Sequence, residues 1–169
     1  MYTLADKYYV KAADEYPFNL EETLENLEYA LSYDPEHAAA NRLMGVMKRE
    51  ELKDYKGAEE CFCLSLATDP DSLETCGEYL QLLLILKKTK EARRLICYME
   101  KLPGADIARL LAARARLSEM SRAYDEALHL LREAMLETCC STYMMFLEEE
   151  KERVQSKCEM LSQIKAVIV

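Results

Sequence analysis

The chain has 169 residues, half of them hydrophobic, and a formal charge of −9. That length suits one domain or one short array of repeats, and four glycines with four prolines are too few for an all-β protein built on tight turns. The negative charge argues against general binding to nucleic acid or anionic membranes, since both need a cationic field.

The first predicted helix runs from about Leu4 to Glu15. Thr3 caps it, Asp6 sits near its positive end, and Leu4, Tyr8 and Ala12 share one face. Pro17 ends it. Asn19 starts the second helix, with Glu22 at the reciprocal position of a capping box, and Asp34-Pro35 closes it. Further helices are predicted over Ala38 to Leu52, Tyr55 to Thr68 (ended by Asp69-Pro70), Leu73 to Lys87, and Thr89 to Leu102 (ended by Pro103-Gly104). Two more cover Asp106 to Met120 and Tyr124 to Thr138, and a last one about Thr142 to Ala166. Proline at these ends follows from its missing N–H and from the extended geometry it imposes on the residue before it.

The second helices of the four pairs align without gaps. Segments beginning at Thr23, Ala58, Ala92 and Ala127 start 35, 34 and 35 residues apart. Each places a large apolar residue four positions on (Leu27, Phe62, Ile96, Leu131) and a mostly small one three further (Ala30, Ser65, Met99, Ala134). A period of this length signals stacked helical units, because one pair cannot bury its own apolar face.

These residues resemble the tetratricopeptide repeat family over nearly the whole chain. Met44-Gly45, then Tyr55 to Ala58, Phe62 and Pro70 fit its pattern, as do Tyr124 to Ala127, Leu131 and Ala134. Departures are Asn41, Cys76 and Ala108 in place of an early aromatic, and Leu80 and Met99 in place of small residues. The resemblance implies an all-α, right-handed helical-repeat solenoid of about four helix pairs plus a C-terminal capping helix. It forms one domain, with repeats at about 3–36, 37–71, 72–104 and 105–138 and the cap at about 142–166. It also implies that first helices line a concave groove.

On those first helices Arg42 with Arg49, and Arg109 with Arg116, are seven apart and so share a face. The intervening helix offers Glu74, Gln81 and Leu84. Guanidinium groups gathered there could hold a peptide carboxylate bidentately; the more ordinary reading is solvated charges pairing with nearby glutamates, since charged helix faces are usually just exposed. Some family members grip a free C-terminal carboxylate through Lys and Asn, but Glu74 and Glu78 stand where the third repeat would supply cations, so that clamp does not carry over.

Chemistry of other kinds finds little support. Cys61 and Cys63 point about 200° apart around a helix, and the seven cysteines and two histidines show no zinc-ligand spacing. The cysteines read as reduced thiols packed like small apolar residues. No phosphate loop or nucleophile motif occurs, so no enzyme, cofactor or metal is expected. The capping helix carries Tyr143, Phe146, Leu147, Val154, Leu161 and Ile164 inward, with Glu148, Glu149, Lys151, Glu152 and Arg153 outward. Its seam of Leu147, Val154, Leu161 and Ile168 fits either packing on the fourth repeat or a homodimer through this helix. No leader or membrane span is seen, and with an odd cysteine count inside helical patterns the expected location is the cytoplasm. The expected function is a non-catalytic adaptor binding a protein or peptide in its groove. A small acidic secretion-type chaperone, or a structural subunit assembling through the last helix, are the alternatives.

Overall fold

The computed structural model describes residues 2–168, with side chains through residue 164. Nine α-helices account for the regular structure of the described residues: α1 (Leu4–Glu15), α2 (Leu20–Tyr33), α3 (Ala38–Glu50), α4 (Tyr55–Thr68), α5 (Leu73–Ile85), α6 (Thr89–Met99), α7 (Ile107–Met120), α8 (Tyr124–Glu137) and α9 (Ser141–Ile168). They divide into two compact units, Met1–Lys88 and Thr89–Val169. The division falls between α5 and α6, the two helices predicted as the third pair.

Capping side chains set most helix starts. The Thr3 hydroxyl accepts from the Asp6 N–H while Asp6 accepts from the Thr3 N–H, a complete capping box. Asn19, Asp54, Ser72 and Asp106 each accept the N–H three residues on. His37 caps α3 through Nδ1, which accepts from the Ala40 N–H at 3.1 Å, leaving its Nε2–H to donate to Asp6 Oδ1 at 3.1 Å. That one ring therefore ties α1 to α3. The turns after α3, α5 and α7 each use a basic residue with positive φ: Lys53 (54°), Lys87 (57°) and Arg122 (61°). Their spacing of 34 and 35 residues repeats the period seen in the second helices.

In the first unit α1 packs on α2, α2 on α3, α3 on α4, and α5 on both α3 and α4. Leu27, Ala30, Leu43, Met44 and Met47 form its first core, and Ala58, Phe62 and Leu82 a second. Gly45 is buried against the Phe62 ring, so the small residue and the large one of the repeat meet as the pattern requires. Lys88 ends the unit with Nζ 2.6 and 2.7 Å from the two oxygens of Glu59, which also accepts from Tyr79 Oη at 3.2 Å. Burial, then the neighbouring Cys63 and Glu59, raises the Tyr79 phenol.

In the second unit α6 packs on α7, α7 on α8, and α8 on α9. Leu147 and Val154 of α9 are fully buried with Leu128, Leu130 and Leu131, so these two members of the seam serve packing within the unit. Leu161 is half-buried, while Phe146 and Ile164, expected inward, are exposed. The side chain of Ile168 and the segment 165–169 lie outside the described side chains. Arg153, expected to face water, instead reaches α7: it donates to both carboxylate oxygens of Glu119, and Lys157 Nζ adds a third contact at 2.7 Å. The cysteines also depart from expectation. Only Cys61 and Cys76 are buried, and burial raises both thiols, while Cys63, Cys97, Cys139 and Cys140 face solvent. One helix turned through two positions presents opposite faces, so Cys61 and Cys63 could not both be internal.

The Glu119 cluster predicts an acid response. Hydrogen bonds from Arg153 foremost, against the opposing effect of burial, lower Glu119 from an ordinary 4.5 to about 2. A carboxyl lowered on folding stabilises the fold fully above its unfolded pKa, and that contribution disappears as pH falls from about 4.5 through about 2. Glu119→Gln should therefore lower the melting temperature by about 3 °C at pH 7, and the gap to wild type should narrow below about pH 4.5 and close only below about pH 2. Thermal melts followed by circular dichroism check this; a gap that does not change with pH would mean the ion cluster contributes nothing on folding.

Candidate functional site

The four arginines that the sequence groups together lie in four different environments. In the first unit α3 carries Ala39, Arg42, Val46 and Arg49 along one stripe, and α5 carries Glu74, Glu78, Gln81 and Ile85 along another. The two stripes meet through ions. Arg42 Nη2 lies 3.1 Å from Glu74 Oε2 and 3.5 Å from Tyr9 Oη of α1. Arg49 donates from Nη1 to the Glu78 carbonyl at 2.7 Å, from Nη2 to the Glu78 carboxylate at 2.5 Å, and from Nε to Glu50 at 2.8 Å. Its guanidinium carbon stands 5.9 Å from the centre of the Phe62 ring.

Burial separates this pair further. Arg49 is 4% exposed, whereas Arg42 is 24% exposed and its partner Glu74 75%. Arg49 is thus an internal tie between α3 and α5, not a side chain offered to solvent. Gln81 is exposed and Leu84 half-buried. The exposed apolar residue on the α5 stripe is Ile85, which lies nearer the Glu74–Glu78–Gln81 line than Leu84 does. Tyr16, at the end of α1, is raised by burial first and then by Glu51 and Glu50, with Arg49 opposing.

The second unit leaves its arginines open. Arg109 and Arg116 lie on one stripe of α7 and are both exposed, with the half-buried Ala112 and Ala113 between them. Arg109 pairs with Asp106 at 3.2 Å across one helical turn, and its guanidinium sits 5.5 Å from the Tyr143 ring of α9. Pairs of that exposure add little to stability and exchange readily with water or ligand. Arg116 has no ion-pair partner among the described residues. Net charge also divides by unit: residues 1–88 carry 18 acidic and 9 basic side chains, and residues 89–169 carry 13 of each. The whole −9 therefore belongs to the first unit, and a carboxylate approaching α7 meets a neutral unit.

Sequence reasoning missed Tyr9, Ile85 and Tyr143 as companions of these arginines. A signal for the ion pairs did exist. His37–Asp6, Arg49–Glu78, Lys88–Glu59 and Arg153–Glu119 join residues 31, 29, 29 and 34 apart, each close to one repeat length. No group of three or more His, Cys, Asp or Glu side chains able to hold a metal occurs among the described residues, and no helix among them is long and apolar enough to cross a membrane.

No protein-family model matches the chain, and no curated protein matches it. Solved structures do. "MamA 41-end from Desulfovibrio magneticus RS-1" superposes with a TM-score of 0.65 at 16% identity, covering 96% of this chain and 93% of that one. "MamA RS-1 ArsTM double mutant" does so with a TM-score of 0.64 at the same identity and coverage. The likeness shows the fold: an all-α helical repeat of tetratricopeptide type.

Proposed function

We propose that the chain is a non-catalytic protein-interaction module and that α7 of its second unit recognises a carboxylate of a peptide or protein partner. The observation that carries this is the pair Arg109 and Arg116, exposed on one helical stripe with small residues between them. Two forks about 10 Å apart along a helix suit two acidic side chains of an extended or helical segment, each bound bidentately. Alanines at 112 and 113 let a partner backbone approach, and Tyr143 holds Arg109 by its ring face, which restricts the guanidinium before binding. In the first unit, Arg42, Glu74 and Gln81 offer a self-paired charge and an amide. They support a weaker, polar contact, since a carboxylate there must displace Glu74.

Peptides selected from a random display library against the wild-type protein, and measured by fluorescence anisotropy, test the reading. The enriched sequences should be rich in Asp and Glu. Arg109→Ala with Arg116→Ala should weaken them about tenfold or more, as expected for losing two charge-assisted contacts, and Arg42→Ala by about threefold or less. A library that yields only binders indifferent to Arg109 and Arg116 would remove α7 as the site.

A further inference from the structure

The outward face of α2 is built from tyrosine and glutamate alone, apart from one serine. Its exposed residues are Glu21, Glu22, Glu25, Glu28, Tyr29, Ser32 and Tyr33, within about 140° of arc. Buried Thr23, Asn26, Leu27 and Ala30 occupy the opposite side, against α1 and α3. Tyr29 and Tyr33 are 46% and 56% exposed. They are not loose: both rings lean on Tyr8 of α1, with centroids 5.2 and 5.8 Å away, the second pair nearly parallel. A cation already uses this stack, for Lys11 Nζ lies 5.4 Å from the Tyr8 centroid.

From this geometry we infer that the α2 face is a docking site for a basic segment of another protein. Its Arg or Lys side chains would seat on Tyr29 and Tyr33 and pair with Glu25 and Glu28. Charge chooses the occupant. Residues 12–41 hold eight Asp and Glu and no Lys or Arg, so α2 carries no cation of its own, and Lys11 of α1 lies over Tyr8 rather than pairing with an α2 glutamate. Glu25 stands three or four positions from Glu21, Glu22 and Glu28, an arrangement that weakens an isolated helix and brings no ion pair among the described residues in return. Rigid tyrosines lose little entropy when they bind, and their faces attract guanidinium and ammonium groups. An acidic partner would be repelled, and a purely apolar one would leave the carboxylates unpaired.

The probe is a fluorescein-labelled 12-residue peptide with arginine at every third or fourth position on alanine, with its glutamate counterpart as control. Anisotropy should show binding of the arginine peptide only, weakening with added salt. Tyr29→Ala with Tyr33→Ala should weaken it about tenfold while keeping the salt dependence. Glu25→Gln with Glu28→Gln should weaken it comparably and flatten that dependence. Glu51→Gln with Glu60→Gln removes the same charge elsewhere in the unit and should change affinity by about twofold or less. Arg109→Ala with Arg116→Ala should leave it unchanged, which separates this face from the α7 site. Equal losses in the Glu51/Glu60 control, or no loss in the tyrosine variant, would overturn the assignment. So would self-association in sedimentation that disappears both in the tyrosine variant and in Arg93→Gln with Arg94→Gln, since that result would seat a second copy on α2.

Discussion

Arg49→Ala is expected to lower the unfolding free energy by about 3 kcal/mol, and Arg42→Ala by under about 1 kcal/mol, in urea titrations of otherwise identical chains. The two arginines share one stripe of α3 and both pair with α5, yet only one is enclosed. Removing Arg49 takes its bonds from the Glu78 carbonyl and carboxylate and opens a void beside Phe62, a combination of lost charge-assisted bonds and lost packing. Removing Arg42 strands Glu74, which is 75% exposed and turns to water at little cost. Arg49→Met refills the volume, and Glu78, at 28% exposure, can reach solvent, so that variant should recover roughly half the loss. Arg49→Lys keeps the charge but cannot serve Glu50 and both Glu78 oxygens at once. If Arg49→Ala is as mild as Arg42→Ala, Arg49 is no tie and returns to the candidates for ligand binding.

That contrast marks where the sequence stops being informative. Helix ends are readable because Asp-Pro and Asn or Asp caps act locally: α2 and α4 begin and end where Asn19, Asp34, Asp54 and Asp69 place them. The period is readable because the Ala–Phe–Ser and Ala–Leu–Ala triplets need one another across helices. Depth is not readable. A seven-residue spacing gives direction around a helix axis, and whether a guanidinium is covered depends on how close the next helix runs, which no local pattern carries. The same gap hid the fate of Arg153: it read as an outward charge, but Glu119 lies one repeat away and draws it in, whereas Arg116, read on the groove side, stays open. Turn geometry was hidden for another reason. The left-handed positions fall on Lys53, Lys87 and Arg122, whereas such backbone is ordinarily signalled by Gly or Asn.

Gly45 and Phe62 supply the second large effect, and it is one of coupling. A Cβ on Gly45 would stand 2.7 Å from Phe62 Cε1 and 2.9 Å from Cδ1, well inside contact distance. The ring cannot retreat, because it is fully buried with Ala58 and Leu82 and flanked by Val46, Tyr55, Tyr79 and Leu86. Gly45→Ala is therefore expected to destabilise by about 1–2 kcal/mol, although alanine is the better helix former by about 1 kcal/mol. Phe62→Leu alone should cost about 1–2 kcal/mol for the space it leaves. Combined, the two changes relieve each other: the smaller side chain vacates the volume that the new methyl needs. The double variant should match or exceed the stability of Phe62→Leu alone, a coupling of about 1 kcal/mol or more in a double-mutant cycle. Strict additivity would mean that α3 and α4 separate to admit the methyl group. The small residue of the repeat would then set helix spacing loosely, and the close approach of α3 and α4 would rest on the rest of their interface instead.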